Sequence, residues 1–97
     1  MDYKIFWSAE SLKNLEYILA YLETEWTHRE ITKFKIKLSK QIQLIAKNPK
    51  LFPVSDYNPK LRKAVLSKQT TIFYELRDNM IFIAYLFSNK MDINRIR

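Results

Sequence analysis

The apolar residues of this chain change their period midway, and that change limits what it can fold into. Between residues 9 and 47 they recur at spacings of three and four; after residue 60 they alternate or run together. Leu12, Leu15, Leu19 and Leu22, widened by Ile18, describe one buried face of an amphipathic helix from Ala9 to about Glu25. Ser8 stands where a helix N-cap belongs, with Glu10 in the first turn. Thr27-His28-Arg29-Glu30 reads as a capping box and opens a second helix that runs to about Lys47. Its inner face is Ile31, Phe34, Leu38, Ile42 and Ile45. Two helices joined this closely form an antiparallel hairpin.

Strands flank the helices. Tyr3 to Trp7 is rich in strand formers and predicts a short first strand. Asn48-Pro49 ends the second helix, and residues 48–60 hold all three prolines, Pro49, Pro53 and Pro59. This irregular connection is expected to be pinned to the core by Phe52 and Val54. Three strands follow, Leu61 to Leu66, Thr70 to Leu76 and Met80 to Phe87, with turns at Lys68-Gln69 and Asp78-Asn79. In the second of these, Ile72, Tyr74 and Leu76 share one face, and Thr71, Phe73 and Glu75 the other. Phe34, Phe73, Phe82 and Tyr74 are expected in the core. The last strand is apolar throughout, which predicts a central position. The expected order is β-α-α-β-β-β. It is an α+β fold with an N-terminal strand, an antiparallel helical hairpin and a three-stranded antiparallel meander. The helices pack on one face of an antiparallel sheet, whose first strand joins an edge or lies beside the last. Residues 1–97 form one domain, with a basic tail over 88–97 that carries Lys90, Arg95 and Arg97.

Composition narrows the chemistry. The chain has no cysteine and one histidine, His28, so disulfides, thiolate metal sites and a structural zinc are not expected. It has no glycine and hence no phosphate-cradling loop, and no cofactor is expected. With no secretory or membrane-spanning apolar run, the expected location is the cytoplasm. The formal charge is +7, and all but two of the 17 basic residues lie after residue 28. Lys33, Lys37, Lys40 and Lys47 form a ridge on the second helix, opposite its core stripe. A solvated face would show the same lysines. The asymmetry favours a polyanion or an acidic protein as partner.

Taken together, these pieces resemble the RelE/ParE superfamily of toxins from bacterial type II toxin–antitoxin systems. The resemblance runs almost end to end. It rests on Tyr3 to Ala9 with the helix that follows, Ile18 to Tyr21, and Ile42 to Pro49. Further on it rests on Leu61-Arg62-Lys63, Ile72-Phe73-Tyr74-Glu75, Met80 to Phe87 and the segment Ser88 to Asp92. It implies a growth-inhibiting protein, of the kind associated with plasmid stabilisation, that is neutralised by a cognate antitoxin. The expected target is DNA gyrase, inhibited by binding, and the alternative is messenger RNA on the ribosome, by cleavage. A non-toxic, antitoxin-binding relative is a third possibility, and contact with DNA would be indirect, through the antitoxin complex. Cleaving members commonly place a histidine or tyrosine at the end of the last strand. Here Phe87, Ser88 and Asn89 stand there, which makes the segment more similar to the ParE side.

Cleavage through a ribose 2′-hydroxyl needs a group to activate that oxygen, a proton for the departing 5′ oxygen, and cations for the charge at phosphorus. The candidates are Arg62, Lys68, Arg77, Tyr85 and Lys90, with Arg62 as the foremost phosphate clamp because guanidinium binds two oxygens at once. Arg62 also fits a structural ion pair, and Tyr85 a core or sheet-face aromatic. Arg62, Lys63, Lys90 and Arg95 are the candidates for partner binding. His28 is expected to be a surface turn residue.

Overall fold

The computed structural model describes residues 3–88. The elements are β1 (Lys4–Trp7), α1 (Ala9–Glu25), α2 (His28–Lys47), β2 (Arg62–Val65), β3 (Thr70–Arg77) and β4 (Met80–Ser88). This is the expected β-α-α-β-β-β order, with both helices on one face of the sheet. Both N-caps form. Ser8 Oγ accepts from the Ser11 N–H at 3.0 Å, and Thr27 Oγ1 accepts from the Glu30 N–H at 3.3 Å.

The strands lie in the order β1-β4-β3-β2, so β4 is internal, as its unbroken apolar run requires. The meander is antiparallel, but β1 runs parallel to β4, with Lys4 opposite Met80 and Trp7 opposite Ile83. The sheet is therefore mixed rather than antiparallel. The intervening hairpin and meander bring the chain back in β1's own direction. Asp78 closes the β3–β4 turn at φ 52°, a left-handed conformation that aspartate tolerates better than most residues.

Ile72, Tyr74, Ile81 and Ile83 face the helices and are fully buried with Ile45 of α2. Each such aliphatic side chain contributes about 1.5–3 kcal/mol when fully removed from water. The buried face of α1 differs from its leucine stripe. It is Ser11, Asn14, Ile18 and Leu22, while Leu12 is 48% exposed and Leu15 and Leu19 are half-buried beside α2. Hydrophobic spacing finds leucines, and this helix instead buries two polar residues: Asn14 accepts from the Leu86 N–H of β4, and the Ser11 hydroxyl donates to the Ser8 carbonyl.

Residues 53–55 fold back along the outer edge of β2. The Ser55 N–H donates to the Leu61 carbonyl at 2.7 Å and the Lys63 N–H to the Pro53 carbonyl at 2.9 Å. This covers an edge that would otherwise offer unpaired backbone groups. Phe52 anchors the connection, edge-on to the Tyr74 ring with centroids 6.3 Å apart. Val54 does not pin the loop: it is 42% exposed, and its backbone bridges to Arg62. None of the helices among the described residues is long and apolar enough to cross a membrane.

Candidate functional site

The face of the sheet turned away from the helices carries a regular array. Strand register sets Lys63, Phe73 and Tyr85 side by side across β2, β3 and β4. Val65, Thr71 and Phe87 make the next row. In the other direction come Glu75, Phe82 and Phe6, then Arg77, Met80 and Lys4. Phe73 and Phe82, expected in the core, belong here instead, because paired residues point to the same side and their neighbours Ile72, Tyr74, Ile81 and Ile83 fill the helix side.

The aromatics are organised. The Phe73 and Tyr85 rings stack with centroids 4.7 Å apart and planes 21° from parallel. Phe6 and Phe82 meet at 5.1 Å, and the Arg77 guanidinium lies 4.9 Å from the Phe82 centroid. Arg77 is also held by Glu75 at 3.1 Å, and that bond and charge raise its pKa further. Partial burial raises the Tyr85 phenol pKa, so it keeps its proton at neutral pH. Among the described residues Lys63 forms an ion pair only with the exposed Asp56 carboxylate, at 4.0 Å, a contact of little energetic weight.

Arg62 lies on the opposite side of the sheet from Lys63, in register with the buried Tyr74. Its Nη1 donates to the Phe52 carbonyl at 2.6 Å and reaches the Lys50 carbonyl at 3.5 Å. The Tyr74 hydroxyl donates to the Pro49 carbonyl at 2.5 Å. Burial pushes the Tyr74 pKa up to about 12, against a smaller opposing pull from Arg62. Three carbonyls of the 49–52 segment are thus held from below by two side chains. The fold therefore separates Arg62 from Tyr85 and places Lys63 in the row with Tyr85.

The other candidates scatter. Lys68 sits in the β2–β3 connection, and Lys90 and Arg95, with the tail beyond Ser88, lie outside the described residues. Lys33, Lys37, Lys40 and Lys47 are all exposed along α2, and His28 is the exposed first residue of that helix. Lys33 and Lys37 rim an apolar cleft of about 270 Å³ whose walls include Ile18, Leu22, Trp26 and Phe34. Among the described residues no group of three or more histidine, cysteine, aspartate or glutamate side chains converges as metal ligands would. Sequence reasoning missed the aromatic face because β4 is apolar at almost every position and shows no alternation.

No protein-family model and no curated protein matches the sequence. Solved structures do share the fold. A chain of the chromosomal ParDE TA system from P. aeruginosa superposes with a TM-score of 0.75 at 12% identity, covering 89% of this chain and 95% of that one. A chain of the E. coli DinJ-YafQ toxin-antitoxin complex gives 0.64 at 13% identity, covering 94% and 97%. The solution structure of the conserved hypothetical protein HP0894 from Helicobacter pylori gives 0.59 at 13%, covering 91% and 96%. At these identities the likeness is one of fold.

Proposed function

We propose that this chain is the toxin member of a toxin–antitoxin pair and that it acts on RNA through the open face of its sheet. The fold shared with chains of two toxin–antitoxin assemblies supports the first half. The second half is carried by the row Lys63–Phe73–Tyr85. A partly buried aromatic surface flanked by cations suits unstacked bases and the phosphates between them.

The same row supplies part of a cleavage reaction. The ribose 2′ oxygen attacks phosphorus and loses its proton to water, the bond from phosphorus to the 5′ oxygen breaks, and that oxygen takes a proton. A phenol holds its proton at neutral pH and is a stronger acid than the alcohol formed from the departing 5′ oxygen, so Tyr85, in the row with Lys63, is assigned as the general acid. Lys63 is assigned to the charge on the phosphoryl oxygens, and Arg77 to the neighbouring phosphate. Arg62, engaged by loop carbonyls, is assigned to holding the fold.

The antitoxin is assigned to the cleft beside α2. Its apolar walls and lysine rim suit an acidic amphipathic segment.

Gyrase inhibition by binding is the second reading. It draws on the likeness to the ParDE chain and on Phe87 and Ser88, which place neither an acid nor a base at the end of β4. One pair of assays separates the two. The purified protein, added to a translating extract, is expected to shorten ribosome-bound mRNA and to leave gyrase supercoiling of a plasmid unchanged. Intact mRNA together with lost supercoiling replaces this reading with the second.

A further inference from the structure

Tyr85 reaches the open face only because β4 contains one extra residue. Tyr74 of β3 pairs with Ile83, and Phe73 pairs with Tyr85, so Ala84 has no partner across the ladder. Ile81 and Ile83 are buried against the helices. Strict alternation from them would turn Tyr85 inward and Leu86 outward. After the bulge the phase is reversed: Leu86 and Ser88 are buried, and Tyr85 and Phe87 point away from the helices.

A bulge leaves backbone groups without ladder partners, and burial makes that costly. Here Ser8, the N-cap of α1, and Asn14 within the helix supply partners. Ser8 Oγ donates to the Ala84 carbonyl at 2.7 Å, and the Ser8 N–H donates to the Ile83 carbonyl at 3.1 Å. The Leu86 N–H donates to Asn14 Oδ1 at 3.0 Å in a buried bond. Asn14 is 7% exposed, and its Nδ2 donates to Glu10 Oε2 at 3.0 Å, which fixes the direction of the amide. Ser11, fully buried, donates its hydroxyl to the Ser8 carbonyl at 2.8 Å and its N–H to Ser8 Oγ. The start of α1 is therefore a small polar clamp closed on the bulge.

We propose that Ser8 and Asn14 are positioning residues for the open face: they hold the β4 bulge that turns Tyr85 outward onto Phe73. The inference rests on the proposed function only for its consequence, that losing the clamp weakens action on RNA.

The test uses the full chain with Ser8→Ala and Asn14→Ala combined. Three readings are taken: the nuclear Overhauser contacts between the Phe73 and Tyr85 rings, hydrogen exchange at the Leu86 amide, and mRNA cleavage. The ring contacts are expected to vanish. Leu86 exchange is expected to rise more than about tenfold relative to Ile81, and cleavage to fall by at least about tenfold. Asn14→Asp combined with Glu10→Gln keeps an acceptor for Leu86 and a donor–acceptor pair between the two helix positions. In a chain that retains Ser8, this exchange is expected to preserve ring contacts, Leu86 protection and the pH profile of cleavage, where Asn14→Ala alone loses them. Persistent ring contacts and a protected Leu86 amide in the double variant overturn the inference. Lost ring contacts with undiminished cleavage sustain the positioning role and overturn the assignment of Tyr85 instead. If the double variant does not fold, Asn14→Ala alone is read by the same contacts, with the same outcomes deciding.

Discussion

The two faces of this sheet are built from similar side chains and do different things with them. On the helix side, Ile72, Tyr74, Ile81 and Ile83 are all inaccessible to solvent, and among the described residues no buried side-chain nitrogen or oxygen lacks a hydrogen-bond partner. On the open side, Phe73, Phe82, Tyr85 and Phe87 are half-buried, with Lys63, Glu75 and Arg77 among them. The contrast is sharpest in neighbouring pairs. Arg62 gives its guanidinium to loop carbonyls, while the next residue, Lys63, points to solvent beside a stacked ring pair. Tyr74 bonds Pro49 from within the core, while Tyr85 lies on the surface. Basic and aromatic composition alone does not say which residues the fold engages internally; the strand face does.

The largest expected effect falls on Tyr85. Tyr85→Phe keeps the ring stack and removes the proton, so cleavage of translated mRNA should fall by about 10²- to 10⁴-fold. Unfolding in urea should be nearly unchanged. Cleavage at the parental rate would show that the open face does not work through its phenol.

Next comes a cut into the other face. Ile83→Ala should destabilise the domain by about 2–5 kcal/mol, through lost burial and the cavity left behind. Phe87→Ala on the open face should cost clearly less, since its ring is not enclosed. Equal losses in the two urea titrations would erase the distinction between the faces.

Arg62 and Lys63 offer a tighter comparison at adjacent positions. Arg62→Ala strands the Phe52 carbonyl and should cost about 1–3 kcal/mol. Lys63→Ala should leave the urea midpoint in place and weaken RNA binding, most visibly at low salt. The reverse pattern would return Arg62 to the role of phosphate clamp.

Much of this was legible in the chain. Both helices carry their N-caps at Ser8 and Thr27 as the sequence suggests, and β4 is central, as its apolar run requires. Three features were not legible, each for the same reason. The parallel placement of β1, the bulge at Ala84 and the capture of Arg62 by the 50–52 carbonyls depend on contacts between distant residues. The Ser8–Ala84 bond spans 76 positions and the Asn14–Leu86 bond 72. Hydrophobic periodicity records which residues avoid water, and it is silent about buried polar groups such as Asn14. It is equally silent about a strand such as β4, where both faces are apolar and a phase shift of one residue leaves no mark.

The smallest expected effect is a pH dependence on the covered face. Burial raises the Tyr74 pKa from 10.0 to about 12 in the folded chain. The unfolded chain therefore releases this proton first as pH rises. The stability that the buried neutral phenol contributes is complete below about pH 10 and is lost as pH climbs toward about 12. Tyr74→Phe deletes the bond to Pro49, which should cost about 1 kcal/mol at neutral pH, and it deletes this titration as well. The gap between the parent and Tyr74→Phe should then narrow across that alkaline window, while Tyr85→Phe, on the open side, should follow the parent more closely. Urea midpoints for the three proteins at several alkaline pH values measure it. A parent and Tyr74→Phe gap that stays constant with pH would mean that the Tyr74 hydroxyl is as well solvated as a surface tyrosine, and the covered face would then be less closed than its burial shows.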